Sequence, residues 1–222
     1  MNGRKSTARV LTPEPGGGIR RPSQLVLARL GKLERTRKGQ IAAIEMGSQE
    51  IFIGKDVVEA TLKGWKKYPG QSFYFLRIGY PAVHRHRGGT AQAMRIRLTG
   101  TIVDAEPRLP SRIAGRRLIL DGKGRERMIL DSGFTGSIAI SEQWANRLDL
   151  RYAGIQPFEL ANGQIVEFPT YLGFVRCGRL EALFEFIVTG EMLLGMEFFE
   201  RLGARIVTDC RGGKVQVDGE VS

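Results

Sequence analysis

The chain has 222 residues, 42% hydrophobic and 26% charged, a balance that excludes wholesale disorder and leaves enough apolar mass for a packed core. Its net charge of +11 is unevenly spread: residues 1–97 carry 19 Lys and Arg against 6 Asp and Glu, residues 98–222 carry 15 against 17. Such a split implies two units with different partners. The longest apolar stretch, ALFEFIVTGEMLLG, is interrupted by Glu185 and Glu191, so no membrane span is expected. The basic, polar N-terminus lacks the apolar core of a signal peptide. Cys177 and Cys210 form neither a disulfide framework nor a zinc spacing. The chain therefore reads as cytoplasmic, with buried free thiols and no metal.

In chain order, residues 1–23 are rich in Gly, Pro and basic residues, without periodicity, and read as a disordered basic arm. Short β-rich runs follow: QLVLARLGKLE, GQIAAIEM after the basic turn RTRKG, EIFIG, GQSFYFLRIG and AMRIRLTGTIV. In the last, Met94, Ile96 and Leu98 alternate with Arg95, Arg97 and Thr99. Five such runs predict a small β-barrel over residues 24–100. Phe73 and Phe75 alternate with Tyr74, which predicts mostly core aromatics. His84 and His86 fall in a loop, AVHRHRGGTAQ, with no acidic or cysteine partner beside them and read as part of a basic loop rather than a metal site.

Residues 101–115, with Pro107 and Pro110, read as a linker. A second β unit spans 116–222. It contains one hairpin turning at Asp121-Gly122 and another at Asn162-Gly163. Ser141 heads a short helix with Trp144 and Leu148 on one face. GMEFFERLG is a second short helix stopped by Gly203. The expected class is mainly β: a small OB-like barrel, then a β domain with one or two short helices.

The sharpest local feature is MILDSGFTGSIAIS, where Asp131 interrupts an apolar run. An unpaired buried carboxylate costs several kcal/mol. A bare Asp-Ser-Gly is most simply a turn that ends a strand; pairing with an Arg or partial exposure would also relieve the cost. The flanks add a further reading. Ile129-Leu130-Asp131-Ser132-Gly133 is followed about 60 residues later by Leu193-Leu194-Gly195, with LANGQIVE between them and GARIVTDCRGGKVQV at the end. Over roughly residues 116–217 this resembles the retropepsin-like aspartic proteases.

The resemblance implies a fold and a chemistry. In that family two aspartates share one proton, because two carboxylates in contact cannot both ionise. The ionised member activates a water, and the protonated one polarises the scissile carbonyl and then helps protonate the leaving amine. This chain holds a single Asp-Ser/Thr-Gly, so the second aspartate would come from a second copy in a homodimer. Asp131, Ser132 and Gly133 would be catalytic, with Ser132 bonding across the dyad. Phe134, Ala161, Asn162 and Gly163 would contact a peptide or protein substrate, the last three as the tip of a closing flap. No cofactor is implied. Viral members place Arg after the glycine of the second motif; here Met196-Glu197 follows, which removes an arginine that stabilises their dimer.

More faintly, residues 24–100 resemble a cold-shock-type OB-fold: GKLERTRKG, EIFIGKDV, PGQSFYF and RGGTAQAMRIRL stand in the order of that family's strands. The resemblance implies contact with RNA or another single-stranded nucleic acid through Lys32, Arg35, Arg37, Lys38 and Phe52. Most of the family's stacking aromatics are replaced, so salt-dependent phosphate contact is expected in place of base stacking. Two functions follow as expectations. One is an aspartic endopeptidase with a basic targeting unit. The other is a non-catalytic adaptor that uses the protease fold for dimerisation or peptide docking.

Overall fold

The computed structural model describes residues 21–80, 94–160 and 163–221. The protein is mainly β, and its centre is a closed barrel of seven strands. The barrel strands are β5 (Glu106–Ala114), β6 (Arg117–Leu120), β7 (Glu126–Leu130), β8 (Ile138–Ile140), β10 (Ile165–Cys177), β11 (Leu180–Val188) and β12 (Leu193–Leu194). Around the ring the order is β5, β7, β12, β8, β11, β10, β6 and back to β5. Met128, Leu130, Ile138, Ile140, Phe184, Phe186 and Leu194 fill its interior. Along β11 the alternation is plain: Phe184 and Phe186 point inward, while Leu183 and Ile187 join clusters on the outer face.

Two short helices close the barrel, α3 (Glu142–Ala145) and α4 (Met196–Arg201). Both stand where the sequence places them, with Trp144 and Leu148 buried and Gly203 left-handed at φ 53°. The strands β4 (Met94–Val103), β13 (Arg205–Asp209) and β14 (Lys214–Val221) extend the sheet beyond β5. Residues 101–115, expected as a linker, are therefore largely strand, and β5 is a barrel stave. The hairpin expected at Asp121-Gly122 is absent as well. β6 and β7 are not neighbours but lie on β5, and the chain reverses at Gly115 and Arg116, both left-handed. Asp121 instead accepts from Arg112 Nη2 at 2.6 Å and from the Lys123 N–H at 3.2 Å.

Residues 24–77 depart most from expectation. They run α1 (Gln24–Arg37), β1 (Ile41–Glu45), β2 (Ile51–Gly54), α2 (Val57–Lys67), β3 (Phe73–Arg77). Strand β1 is antiparallel to both β2 and β3, so β2 and β3 are parallel, joined across β1 by α2. The five runs do not close a barrel of their own, because α1 is a helix and β4 pairs with β14 and β5. Helix α1 covers one face of the three strands with Val26 and Leu30 on Ala42, Ile44 and Ile78. Helix α2 covers the other with Val57, Val58 and Ala60 on Ile41, Phe73 and Phe75. Phe73 and Phe75 thus share one face, as the alternation predicts.

The physical reasons are local. Ser23 caps α1, its hydroxyl accepting the Val26 N–H at 3.4 Å, and Val26, Leu30 and Leu33 recur at helical spacing. Asp56 caps α2 at 2.7 Å from the Glu59 N–H, while Glu59 Oε2 accepts the Lys55 N–H at 2.9 Å. That reciprocal pair, one residue outside the usual box register, satisfies amides at the helix start. Gly64 lets α2 lie on Phe73, whose Cε1 would be 2.6 Å from a Cβ at that position.

The unit joins the barrel's sheet through backbone, by way of a strand that pairs with β10. β3 pairs in parallel with β9 (Arg151–Glu159), Phe73 opposite Gly154 and Tyr74 opposite Ile155. Across this seam Arg151 lies 3.9 Å from the Trp65 ring centre, a cation–π contact of about 0.5–2 kcal/mol.

The two thiols separate cleanly. Cys177 is fully buried, and burial pushes its pKa up to about 12; Cys210 is exposed. One thiol per chain is expected to react with iodoacetamide at pH 8 in the native protein and two in denaturant. Two reacting thiols in the native state would contradict this packing.

Candidate active site

The site is built where β7 runs out of the barrel at Asp131. Strand β12 is inserted between β7 and β8. It is parallel to β7 (Leu193 opposite Ile129, Leu194 opposite Leu130) and antiparallel to β8 (Leu193 opposite Ala139, Leu194 opposite Ile138). Backbone bonds tie the loop after Asp131 to the segment carrying β12. The Asp131 N–H donates to Leu194 O at 3.0 Å, the Gly195 N–H to Ser137 O at 2.9 Å, and the Met196 N–H to Phe134 O at 2.9 Å. The two motifs, about 60 residues apart in sequence, form one structural unit.

Asp131 is half-buried, and Ser132 and Gly133 are exposed. Asp131 Oδ1 accepts the Gly133 N–H at 2.8 Å. Asp-Ser-Gly is thus a strand-ending turn, as the simplest reading holds. The carboxylate keeps access to solvent in the single chain and escapes most of the desolvation cost that its apolar flanks suggest.

Gly195 is where this loop and the inserted strand come closest. A Cβ there would stand 2.5 Å from Phe134 O and 2.6 Å from Phe134 Cδ1, and closer still to Gly136 O. The absence of a side chain allows the two segments to touch backbone to backbone.

Phe134 is half-buried and stacks on Phe158 at 6.1 Å between ring centres; Phe158 meets Phe168 edge-on at 5.6 Å. With Ala139, Ile187 and Leu193 these rings form a small apolar cluster beside the Asp131 loop. Phe158 and Phe168 belong to the hairpin of β9 and β10. Its last pair is Glu159 with Ile165, and its turn is closed by Leu160 N–H to Gln164 O and Gly163 N–H to Leu160 O, both 2.8 Å. Gly163, at φ 80°, holds the left-handed turn position. Ala161 and Asn162 lie outside the described residues, as do His84 and His86. Leu160 and Ile165, 40% and 52% exposed, put apolar side chains at the end of the hairpin.

The hairpin is also fastened to the N-terminal unit, which sequence reasoning missed. Tyr74 Oη donates to Glu167 Oε1 at 2.7 Å, and Arg21 Nε lies 3.3 Å from the same oxygen. Burial and the Glu167 carboxylate both push the Tyr74 hydroxyl far above its ordinary pKa. No sequence signal pairs residues 93 positions apart. Tyr74→Phe is expected to remove about 1 kcal/mol. Hydrogen exchange should speed up about fivefold in residues 154–168 and stay unchanged in β7 and β8. Equal acceleration in both regions would show that Tyr74 serves general stability only.

The proposed nucleic-acid residues fall on two faces. Lys32, Arg35, Arg37 and Lys38 are exposed on α1 and its C-terminal end. Phe52 is half-buried on the α2 side, packed edge-on against Tyr68 at 5.9 Å and Phe73 at 6.0 Å. It cannot stack bases beside those cations, because the three-stranded sheet lies between them. Among the described residues no cluster of His, Cys, Asp and Glu could hold a metal, and no helix is long and apolar enough to cross a membrane.

No protein-family model matches the chain, and no curated protein matches it.

Proposed function

We propose that the protein is an aspartic endopeptidase that works as a homodimer, Asp131 of each copy supplying one half of the catalytic dyad. The observation that carries this reading is the insertion of Leu193-Leu194 between β7 and β8, directly behind an accessible Asp131-Ser132-Gly133 turn. A strand-ending turn needs none of that apparatus. The backbone bonds from Asp131, Gly195 and Met196 hold the carboxylate's loop rigid, as pre-organised catalysis requires.

Two such turns brought together on a two-fold axis place two carboxylates in contact, with one proton between them. The ionised carboxylate takes a proton from water as that water attacks the peptide carbonyl. The protonated one donates toward the carbonyl oxygen; as the tetrahedral intermediate collapses, the dyad returns the proton taken from water to the leaving nitrogen, and the amine departs. The hairpin of β9 and β10 closes over the peptide and excludes water. The cluster of Phe134, Phe158 and Phe168 supports its base. Every step uses side chains of this chain and water alone.

The test is cleavage of a denatured-protein digest between about pH 4 and 7, read by mass spectrometry, with light scattering at the same concentrations. The reading expects cleavage blocked by a pepstatin-type inhibitor and a mass of two chains, with or without substrate. A strictly monomeric mass under all conditions, or no cleavage where the dimer forms, would overturn it.

A further inference from the structure

Helix α1 carries the most one-sided charge among the described elements. Residues 21–38 contain six Arg and Lys and a single acidic residue, Glu34. Glu34 is occupied by Lys38 at 3.3 Å, and Lys38 also lies 5.5 Å from the Tyr80 ring centre. Arg37 reaches Gln40 Oε1 at 3.4 Å, and Arg21 reaches Glu167. What remains is Arg29, Lys32 and Arg35, all exposed and without an ion pair among the described residues. Two successive steps of three residues keep them within about a third of the helix circumference, over about 9 Å of its length. Lys32 and Arg35 face away from Val26, Leu30 and Leu33, which bind the helix to the sheet, and Arg29 stands at the flank of that apolar stripe. Arg29 was not among the cations that the sequence singled out; the helix groups it with the other two.

We infer that this outer face of α1 is a docking surface for the phosphate backbone of nucleic acid, read without base preference. Charge complementarity selects a polyanion, since three unpaired cations on a rigid rod match a regularly spaced row of phosphates. The composition of the face narrows the mode. Helix α1 contains no aromatic residue, so it offers no platform for base stacking. Single and double strands should therefore bind alike. An anionic lipid surface fits less well. A membrane-lying helix needs one continuous apolar face, and here that face is spent on the sheet. The exposed Leu25 and Leu27 stand about 160° apart around the axis of α1 and so form no continuous apolar face. The inference is independent of the peptidase reading.

The experiment is fluorescence anisotropy of the full chain with a mixed-sequence RNA of about 20 nucleotides and a duplex of about 20 base pairs, across a salt series. The variant is Arg29→Gln/Lys32→Gln/Arg35→Gln, since glutamine keeps helix propensity while removing charge. The control is Lys55→Gln/Lys66→Gln/Lys123→Gln, which lowers net charge equally elsewhere. Thermal melting checks that both stay folded. The expected result is binding to both probes, weakened about tenfold or more in the α1 variant. The slope of log affinity against log salt should flatten by about 0.7–0.9 for each phosphate that the variant no longer neutralises. The control should bind like the wild type. An equal weakening in the control would overturn the inference by reducing it to net charge. So would an α1 variant that binds unchanged. So would α1-dependent binding to phosphatidylserine vesicles with no binding to either nucleic acid.

Discussion

Asp131→Asn is expected to lower peptide cleavage by about 10²–10⁴-fold, or below detection, with the fold and the dimer retained. The magnitude is that of removing one positioned acid–base group, and in a homodimer both halves of the dyad are lost together. Retention of the fold follows from the local geometry. The bond that the side chain makes at the turn is from the Gly133 N–H to Oδ1 at 2.8 Å, and an asparagine carbonyl oxygen can accept it equally. The exposed turn and the half-buried side chain leave room for the amide. The measurements are the mass-spectrometric cleavage assay, thermal melting, and light scattering for the mass. Cleavage that persists in the variant at more than about a tenth of wild type would remove Asp131 from the chemistry.

Gly195→Ala is expected to abolish most cleavage while leaving the chain folded. The added Cβ would meet Phe134 O, Phe134 Cδ1 and Gly136 O, all far inside van der Waals contact. Two of those three are backbone atoms, so relief requires the Asp131 loop to separate from the inserted strand. Overpacking of this kind costs about 1–3 kcal/mol, and for a chain of this size each kcal/mol lowers Tm by about 2–4 °C. Displacing a catalytic carboxylate by about 1 Å costs about 10²-fold in rate. The contrast is Gly31→Ala on exposed α1, where a Cβ would meet nothing within 4 Å. There the substitution should stabilise by about 0.5–1 kcal/mol and leave cleavage unchanged. A Gly195→Ala protein with wild-type cleavage would separate the inserted strand from the site's function.

The two substitutions probe different links. Asp131→Asn removes a chemical group from an intact frame. Gly195→Ala keeps the group and disturbs the frame. If the first silences cleavage and the second does not, the carboxylate acts without the tie to Leu193-Leu194. If the protein never cleaves peptides, the Gly195 prediction still stands as a loss of stability, because the clash exists whatever the site does.

Read alone, the sequence determined the elements whose signals are local. The alternation in SFYFL placed Phe73 and Phe75 on one face, and Asn162-Gly163 marked the reversal between β9 and β10. The apolar run into Asp131-Ser132-Gly133 marked the end of a strand. Ser141 and Gly203 bounded the short helices. In each case the cause is a backbone preference or a side-chain period contained within a few residues. Two further local signals are present in the sequence. Ser23 with Val26, Leu30 and Leu33 announces α1, which the apolar run QLVLARLGKLE otherwise suggests as a strand, and Asp56 with Glu59 announces α2.

Tertiary structure alone decided which strands are neighbours. The sheet passes from β3 to β9, from β5 to both β6 and β7, and from β7 through β12 to β8. These pairings join residues far apart along the chain. Their selection depends on how whole faces bury one another, which no short window of sequence records. The same holds for the exposure of Asp131, the fastening of the hairpin through Tyr74 and Glu167, and the removal of Phe52 from the basic face. Burial is a property of the assembled layers. An apolar neighbourhood in sequence reports what a residue follows along the chain, whereas the fold decides what stands above it.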